Sequence, residues 1–258
     1  MRWCLQNNAP SWDIFAACLL ARSFGDKHVY FRLRDKMYWR FKDQVAWNRF
    51  RKLLVPIAEM WGLEWSLTRE VPKNERSYNW AYGAINDLYS KHEILLLNPP
   101  RKPENYITLT LRTSKDQLVG RNSNLEVWET FQRYLEDKGH EVRVMKDDED
   151  NPLPPKKRAD IYANAYMNFS SNTGPMALCH FSTNIPYITT DMFPDNADGE
   201  KMRKHHEDSG FYGKQLAWAN EDQRFIWRMS TVEMLVNCYE EKVRRTQPLE
   251  ERKVANAC

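Results

Sequence analysis

Apolar positions fall into short runs and helical stripes that alternate along the chain. Arg2 to Gln6 reads as a first short strand, and Asn7-Asn8-Ala9-Pro10-Ser11 as a loop of turn residues. An apolar-rich helix is predicted from about Trp12 to Phe24, ended by Gly25. His28 to Leu33 alternates like a strand. Gln44 to Trp61 is helical in pattern, with Val45, Phe50, Leu53, Leu54 and Ile57 apolar and Pro56 expected to kink or shorten it. Leu63 to Leu67 reads as a short strand, Tyr78 to Tyr89 as a helix, and Ile94-Leu95-Leu96-Leu97 as a buried strand. Strands alternating with helices predict a parallel sheet joined by crossover helices.

Asn98-Pro99-Pro100-Arg101-Lys102-Pro103 interrupts this pattern, because prolines so closely spaced continue neither a helix nor a sheet. It divides the chain into residues 1–104 and 105–258. A second alternating series follows. Tyr106 to Leu111 is a strand and Arg112 to Asn122 a polar loop. Ser123-Asn124-Leu125-Glu126 has the spacing of a capping box, and Leu125, Trp128, Phe131 and Leu135 line one helical face up to Gly139. Glu141 to Met145 is a strand with Val142 and Val144 on one face, and Asp147 to Arg158 a charged, Pro-rich loop. A short helix near Ala159 to Asn164 leads to a strand at Tyr166 to Ser170. Then come the turn Asn172-Thr173-Gly174-Pro175-Met176-Ala177-Leu178 and another strand, Ile185 to Thr189. Pro194 to Gly210 is expected to be a long mobile loop. Ser230-Thr231-Val232-Glu233 is a second capping box, opening an amphipathic helix through Val232, Leu235, Val236, Tyr239 and Val243. The polar tail after Pro248 is expected to fray.

Composition narrows the class. A chain of 258 residues suits one large domain or two small ones and can bury a core. Its net charge of +3 is too small to imply nucleic acid. Cys4, Cys18, Cys179, Cys238 and Cys258 form no C-x-x-C pair and no zinc spacing with histidine, the pattern of reduced buried thiols in a cytosolic protein. The longest apolar run, Ile14 to Ala21, is far too short to span a bilayer, and no basic start followed by an apolar core marks a signal peptide. A cytoplasmic protein with at most peripheral membrane contact is expected.

Two places suggest chemistry. In the turn at 172–178, Thr173 can cap a helix, Gly174 lets the backbone approach a ligand, and Pro175 suits a first helical turn. A strand feeding such a turn and a helix N-terminus is an anion site, although a plain strand-to-helix turn has the same residues. The second place is the loop holding Arg112, Lys115, Arg121, Asn122, Ser123 and Asn124 at the carboxyl end of a strand, where α/β sheets bind ligands. Arg112 and Arg121 can pair with a diphosphate, or the loop is simply solvated. Asp13, in the first turn of the first helix, either complements the helix dipole or acts as a general base. His205 and His206 read as surface residues and His180 as packed. Asp147-Asp148-Glu149-Asp150 is a weak metal signal. Gln215, Trp218, Asn220, Gln223, Arg224 and Trp227 either read a sugar or base or anchor a helix connection.

The turn at 172–178 with Ile185-Pro186-Tyr187-Ile188 after it resembles the donor-site segment of the heptosyltransferase-like glycosyltransferases, which carry a (D/N)-(S/T)-G-P-M turn, a helix and a strand containing P-V. Arg112, Trp128, Leu135, Gly139, Val142 and Val144 fall where that family has a loop arginine, a helix and a strand. Ser11-Trp12-Asp13 through Leu20 resembles the family's first loop and helix, with Trp12 in place of a glycine. The resemblance covers about residues 106–190 by motif and the remainder by element order.

It implies an α/β protein with two Rossmann-like domains facing a cleft (the GT-B architecture). The N-terminal domain would be reduced, and the last helix could pack back on it. It implies a metal-independent glycosyltransferase moving a sugar from a nucleotide-sugar donor to a glycan or glycolipid acceptor, with no cofactor and no specific nucleic acid. Asp13 would be the base. Arg112, Arg121, Asn122, Ser123, Asn172, Thr173, Gly174, Pro175, Met176 and Gln215 would bind substrate. A carbohydrate- or nucleic-acid-binding module without chemistry, or a nucleotide-sugar epimerase, are the alternatives.

Overall fold

The computed structural model describes residues 3–6, 11–32, 50–68, 82–113, 122–146 and 152–246. Two parallel sheets organise them. The first contains β1 (Trp3–Gln6), β2 (His28–Arg32) and β3 (Glu64–Thr68), with β2 in the middle. Parallel strands need crossover connections. Here they run through α1 (Ser11–Ser23) and through a π-helical turn, Phe50–Leu54, that continues into α2 (Val55–Met60). Every residue from Ile14 to Ala21 is buried, so α1 is covered all round as its unbroken apolar run demands. Pro56 sits in the first turn of α2, where its missing N–H is harmless, and the wide π turn before it takes up the expected kink.

After α3 (Tyr82–Lys91), the run Ile94 to Leu97 does not become a strand. Leu97 makes one isolated bridge to Ser182, and Leu95 is exposed. The proline segment that follows is tied down. The Arg101 guanidinium donates to the carbonyls of Ala163, Asn184 and Ala165 at 2.8, 3.0 and 3.0 Å, and the Asn184 amide donates to the Pro99 carbonyl at 2.8 Å.

The second sheet is built from β4 (Tyr106–Leu111), β5 (Glu141–Lys146), β6 (Met167–Ser171), β7 (Tyr187–Thr190) and β8 (Gln223–Phe225), all parallel, in the order β5-β4-β6-β7-β8. The helices between and after them are α4 (Leu125–Asp137), α5 (Pro155–Asn164), α6 (Ala177–His180), α7 (Ala197–Asp208) and α8 (Val232–Thr246). β4, β6 and β7 are buried at every position, as strands covered on both faces must be. β5 lies at the edge, so Val142 is half-buried and Val144 exposed rather than sharing a buried face. Inside the sheet, Asn168 is fully buried and fully used. It donates to the carbonyls of Tyr162 (3.0 Å) and Pro186 (2.8 Å) and accepts from the Thr108 hydroxyl (2.6 Å).

Each face of this sheet has its own core. On one face Trp128, Phe131, Leu135, Leu235 and Tyr239 cover Ile107, Phe169 and Ile188. The last helix therefore packs on α4, with Tyr134 and Lys138 both bonded to Glu240 and His140 to the Tyr239 hydroxyl. On the other face Tyr162, Met176, Leu178, Phe181 and Tyr187 share one cluster with Ile14, Leu19, Phe31, Leu54 and Ile57. The two sheets thus meet through a common apolar core.

The segment expected to be a mobile loop contains a helix, α7. Arg203 braces it with ion pairs to Glu200 and Glu207, and Gly199 allows a close approach that a Cβ would block, since that atom would lie 1.7 Å from the Pro194 carbonyl oxygen. Among the described residues, no helix is long and apolar enough to cross a membrane.

Candidate functional site

The strand order reverses between β4 and β6. The chain leaves β4 for β5 on one side, then crosses to β6 on the other. In open α/β sheets the connections diverge at such a point and leave a crevice at the carboxyl ends of the strands. Arg112 follows β4 and Asn172 follows β6, so the two loops singled out in the sequence are brought together here.

A small polar network joins them. The Arg112 N–H donates to Ser123 Oγ at 2.9 Å and to Ser171 Oγ at 3.1 Å. Ser123 donates its hydroxyl to Ser171 Oγ at 2.8 Å and its N–H to the Arg112 carbonyl at 3.0 Å. Ser123 is therefore spent on closing the Arg112 loop and does not cap α4. Asn124 holds the N-cap position, without a side-chain cap. The capping-box spacing misled because a tertiary partner, Ser171, outcompetes the local one. Arg112 and Asn122 are half-buried on the two ends of this loop, and Arg121 and Lys115 lie outside the described residues.

On the β6 side, Asn172 donates its amide to the Met192 carbonyl at 3.3 Å, linking the ends of β6 and β7. Thr173 is 2% exposed, and its hydroxyl has no hydrogen-bond partner. It caps nothing. Gly174–Met176 forms a 3-10 turn that runs into the four residues of α6. So short a helix has little dipole, and the expected helix N-terminus is reduced to one element: the Gly174 N–H, which as the first turn residue has no intrahelical acceptor. Pro175 and Met176 are buried in the core shared with α1. They shape the turn. Gln215 is also committed elsewhere. Its amide brackets Phe225, accepting from that residue's N–H at 2.6 Å and donating to its carbonyl at 3.0 Å, so it terminates β8.

α1 packs on the turn at Gly174–His180. Asp13 lies in its first turn, and burial pushes the carboxyl up to about 6. A carboxylate poised there takes a proton at neutral pH more readily than an ordinary aspartate. Trp12 beside it packs on Tyr82 and Phe181, ring centroids 4.5 and 5.3 Å away, fixing the start of the helix. His180 is fully buried between the Tyr82 hydroxyl (3.1 Å) and the Thr189 hydroxyl (2.9 Å), and burial lowers it to about 3. It is a neutral packing residue, as its apolar neighbours in sequence suggested. His206, read as a surface residue, is instead buried among Tyr82, Phe193, Phe211 and Trp227, while His205 faces solvent.

Sequence reasoning passed over Asp191. It follows β7 directly, is 7% exposed, and adopts a left-handed φ of 54°. Its carboxylate accepts from the Ser230 N–H (2.6 Å) and hydroxyl (3.1 Å). Burial raises its pKa, and the Ser230 bonds work against that rise. The available signal was an acid immediately after a predicted strand. The bond also displaces the second predicted cap by one residue: Ser230 serves Asp191, and Thr231 caps α8 through the Met234 N–H at 3.2 Å.

Among the described residues, no three His, Cys, Asp or Glu side chains are placed to share a metal ion. Comparison with protein-family models, with curated proteins and with solved structures finds no match.

Proposed function

We propose that this chain is a glycosyltransferase that takes a sugar from a nucleotide-sugar donor and passes it to a glycan or glycolipid acceptor in the cytoplasm. The observation that carries the reading is the polar network at the switch point, where Arg112, Ser123 and Ser171 lock two strand ends together beside an unpartnered Thr173 hydroxyl. A diphosphate placed there meets the Arg112 guanidinium and the Gly174 N–H. These donors strengthen their hold as the leaving diphosphate gains charge, which is the differential stabilisation that catalysis requires. Arg121 and Asn122 belong to the same loop, and Asn172 fixes its opposite wall. Asp13 is the base of this proposal. Its raised pKa supports that role, and the packing of α1 on the turn connects it to the donor side. The two parallel sheets are read as the two halves of a GT-B architecture, the first reduced to a few strands.

Isothermal titration with UDP, GDP and ADP tests the reading. One of these nucleotides is expected to bind, and Arg112→Ala to weaken it by about tenfold or more, the loss of one charge-assisted contact. Failure of all three to bind, or an Arg112→Ala protein that binds as well as the parent, removes the donor site. An epimerase would instead convert the nucleotide sugar with no acceptor present.

A further inference from the structure

The carboxyl edge of the second sheet carries another polar recess, beyond β7 from the switch point. β8 runs out into Trp227 and Arg228, and α8 begins shortly afterwards. The hollow between them measures about 200 Å³ and is lined by Arg228, Thr231, Glu233, Met234 and Asn237. Its frame is fixed. Asp191 donates its N–H to the Arg228 carbonyl at 3.1 Å and accepts from Ser230 through both carboxylate oxygens. One residue, held in a left-handed conformation that its surroundings must impose, thereby pins both rims.

The polar side chains on those rims are unspent. Arg228, Glu233 and Asn237 make no hydrogen bond or ion pair with any described residue. Farther along α8 the opposite holds: Glu241 pairs with Arg224 at 2.9 Å, Lys242 with Asp222, and Arg245 with Asp222 at 3.0 Å. Three charged residues of the helix beyond the hollow are thus paired, whereas Glu233 at the hollow pairs with no described residue. The guanidinium only donates, the carboxylate only accepts, and the amide does both. Met234 supplies a polarisable apolar wall for a flat ring. Glu233 disfavours a phosphate in the hollow and suits hydroxyls or ring N–H groups. The volume admits one ring system rather than a whole ligand. β8 lies two strand spacings, roughly 10 Å, from β6, the scale of one nucleoside measured from its phosphate.

We propose that this hollow is the nucleoside subsite of the nucleotide donor, an inference that rests on the diphosphate reading of the switch point. Glu233 accepts hydrogen bonds from the ribose hydroxyls, and Asn237 and Arg228 bond the edge of the base. The full chain is titrated with pyrophosphate and, separately, with UDP, GDP and ADP. The best nucleoside diphosphate is expected to bind about tenfold or more tighter than pyrophosphate. The double variant Glu233→Gln, Asn237→Ala closes that gap without changing pyrophosphate affinity, and Glu233→Gln alone closes part of it. The Glu233 and Asn237 side chains are exposed, and circular dichroism verifies that the variants fold. An unchanged gap in both variants overturns the subsite, as does an equal loss for both ligands or no gap in the parent protein. Arg112→Ala should weaken pyrophosphate and nucleotide alike. If neither ligand binds the parent, the diphosphate reading fails and the subsite fails with it; if pyrophosphate binds and the gap is absent, the subsite alone fails.

Discussion

Burial makes the charged form of Asp13 expensive, and in the proposed reaction the same expense would make it a better base. Its folded pKa of about 6 lies above the ordinary value of 3.8, so the folded chain binds the proton more tightly than the unfolded chain. Stability therefore falls as pH rises from about 4 to about 6, and the full penalty is present above that window. Asp13→Asn is expected to stabilise the protein by about 1–2 kcal/mol near neutral pH, and to add little below about pH 4, in urea titrations at the two pH values. The same variant should bind nucleotide yet lose turnover. A stability change independent of pH would show that the carboxylate is not the strained group. Asn168 shows the reverse case, a buried polar residue whose partners all depend on it. Asn168→Leu strands the carbonyls of Tyr162 and Pro186 and the Thr108 hydroxyl, with an expected loss of about 3 kcal/mol by chemical denaturation. A loss below about 1 kcal/mol would mean that the network contributes little.

At the level of elements, helix starts were the least legible feature. Both capping boxes have the right residues at the right spacing. In each, the first serine turns away to a distant partner, Ser123 to Ser171 and Ser230 to Asp191. The helix then starts one residue later, on Asn124 without a side-chain cap and on Thr231 with one. Thr231→Ala should accordingly lower stability by about 1 kcal/mol, read from the thermal midpoint, whereas Ser230→Ala should act through Asp191 instead. Equal insensitivity of the two positions would sink this assignment. The strands were easier. β4, β6 and β7 stand within a residue or two of the predicted strands, and they are buried at every position although Thr108, Thr110, Asn168, Ser170 and Thr189 interrupt their apolar residues. Ile94 to Leu97 is wholly apolar and yet makes only an isolated bridge, Leu97 to Ser182. α7 was hidden for a different reason: its sequence is polar nearly throughout, and its buried side, including His206, is defined by the aromatic residues it meets.

For the molecule as a whole, the decisive fact is that α1 and the turn at 174–180 belong to one core. The proline segment at 98–103 looks like a free linker, yet Arg101 fastens it to three carbonyls. Cys18 on α1 and Cys179 on α6 are both fully buried, and burial raises both thiols. They should be inert to alkylation in the native protein and become reactive at the same denaturant concentration, followed peptide by peptide with mass spectrometry. Separate midpoints would show that the two halves unfold independently.

Alternation of apolar runs and helical stripes, by itself, determined an α/β chain with parallel strands and the placing of most elements. That much follows from local rules of backbone periodicity. Tertiary structure alone decided that Arg112 and Thr173 lie on neighbouring strand ends, because strand order is set by crossovers that no local pattern encodes. It also decided which polar residues were free to serve a ligand. The Gln215 amide is spent on Phe225, and Asp191 emerges only where β7 meets the start of α8. Whether a side chain is available depends on every other group that can claim it, and those claims exist only once the chain has folded.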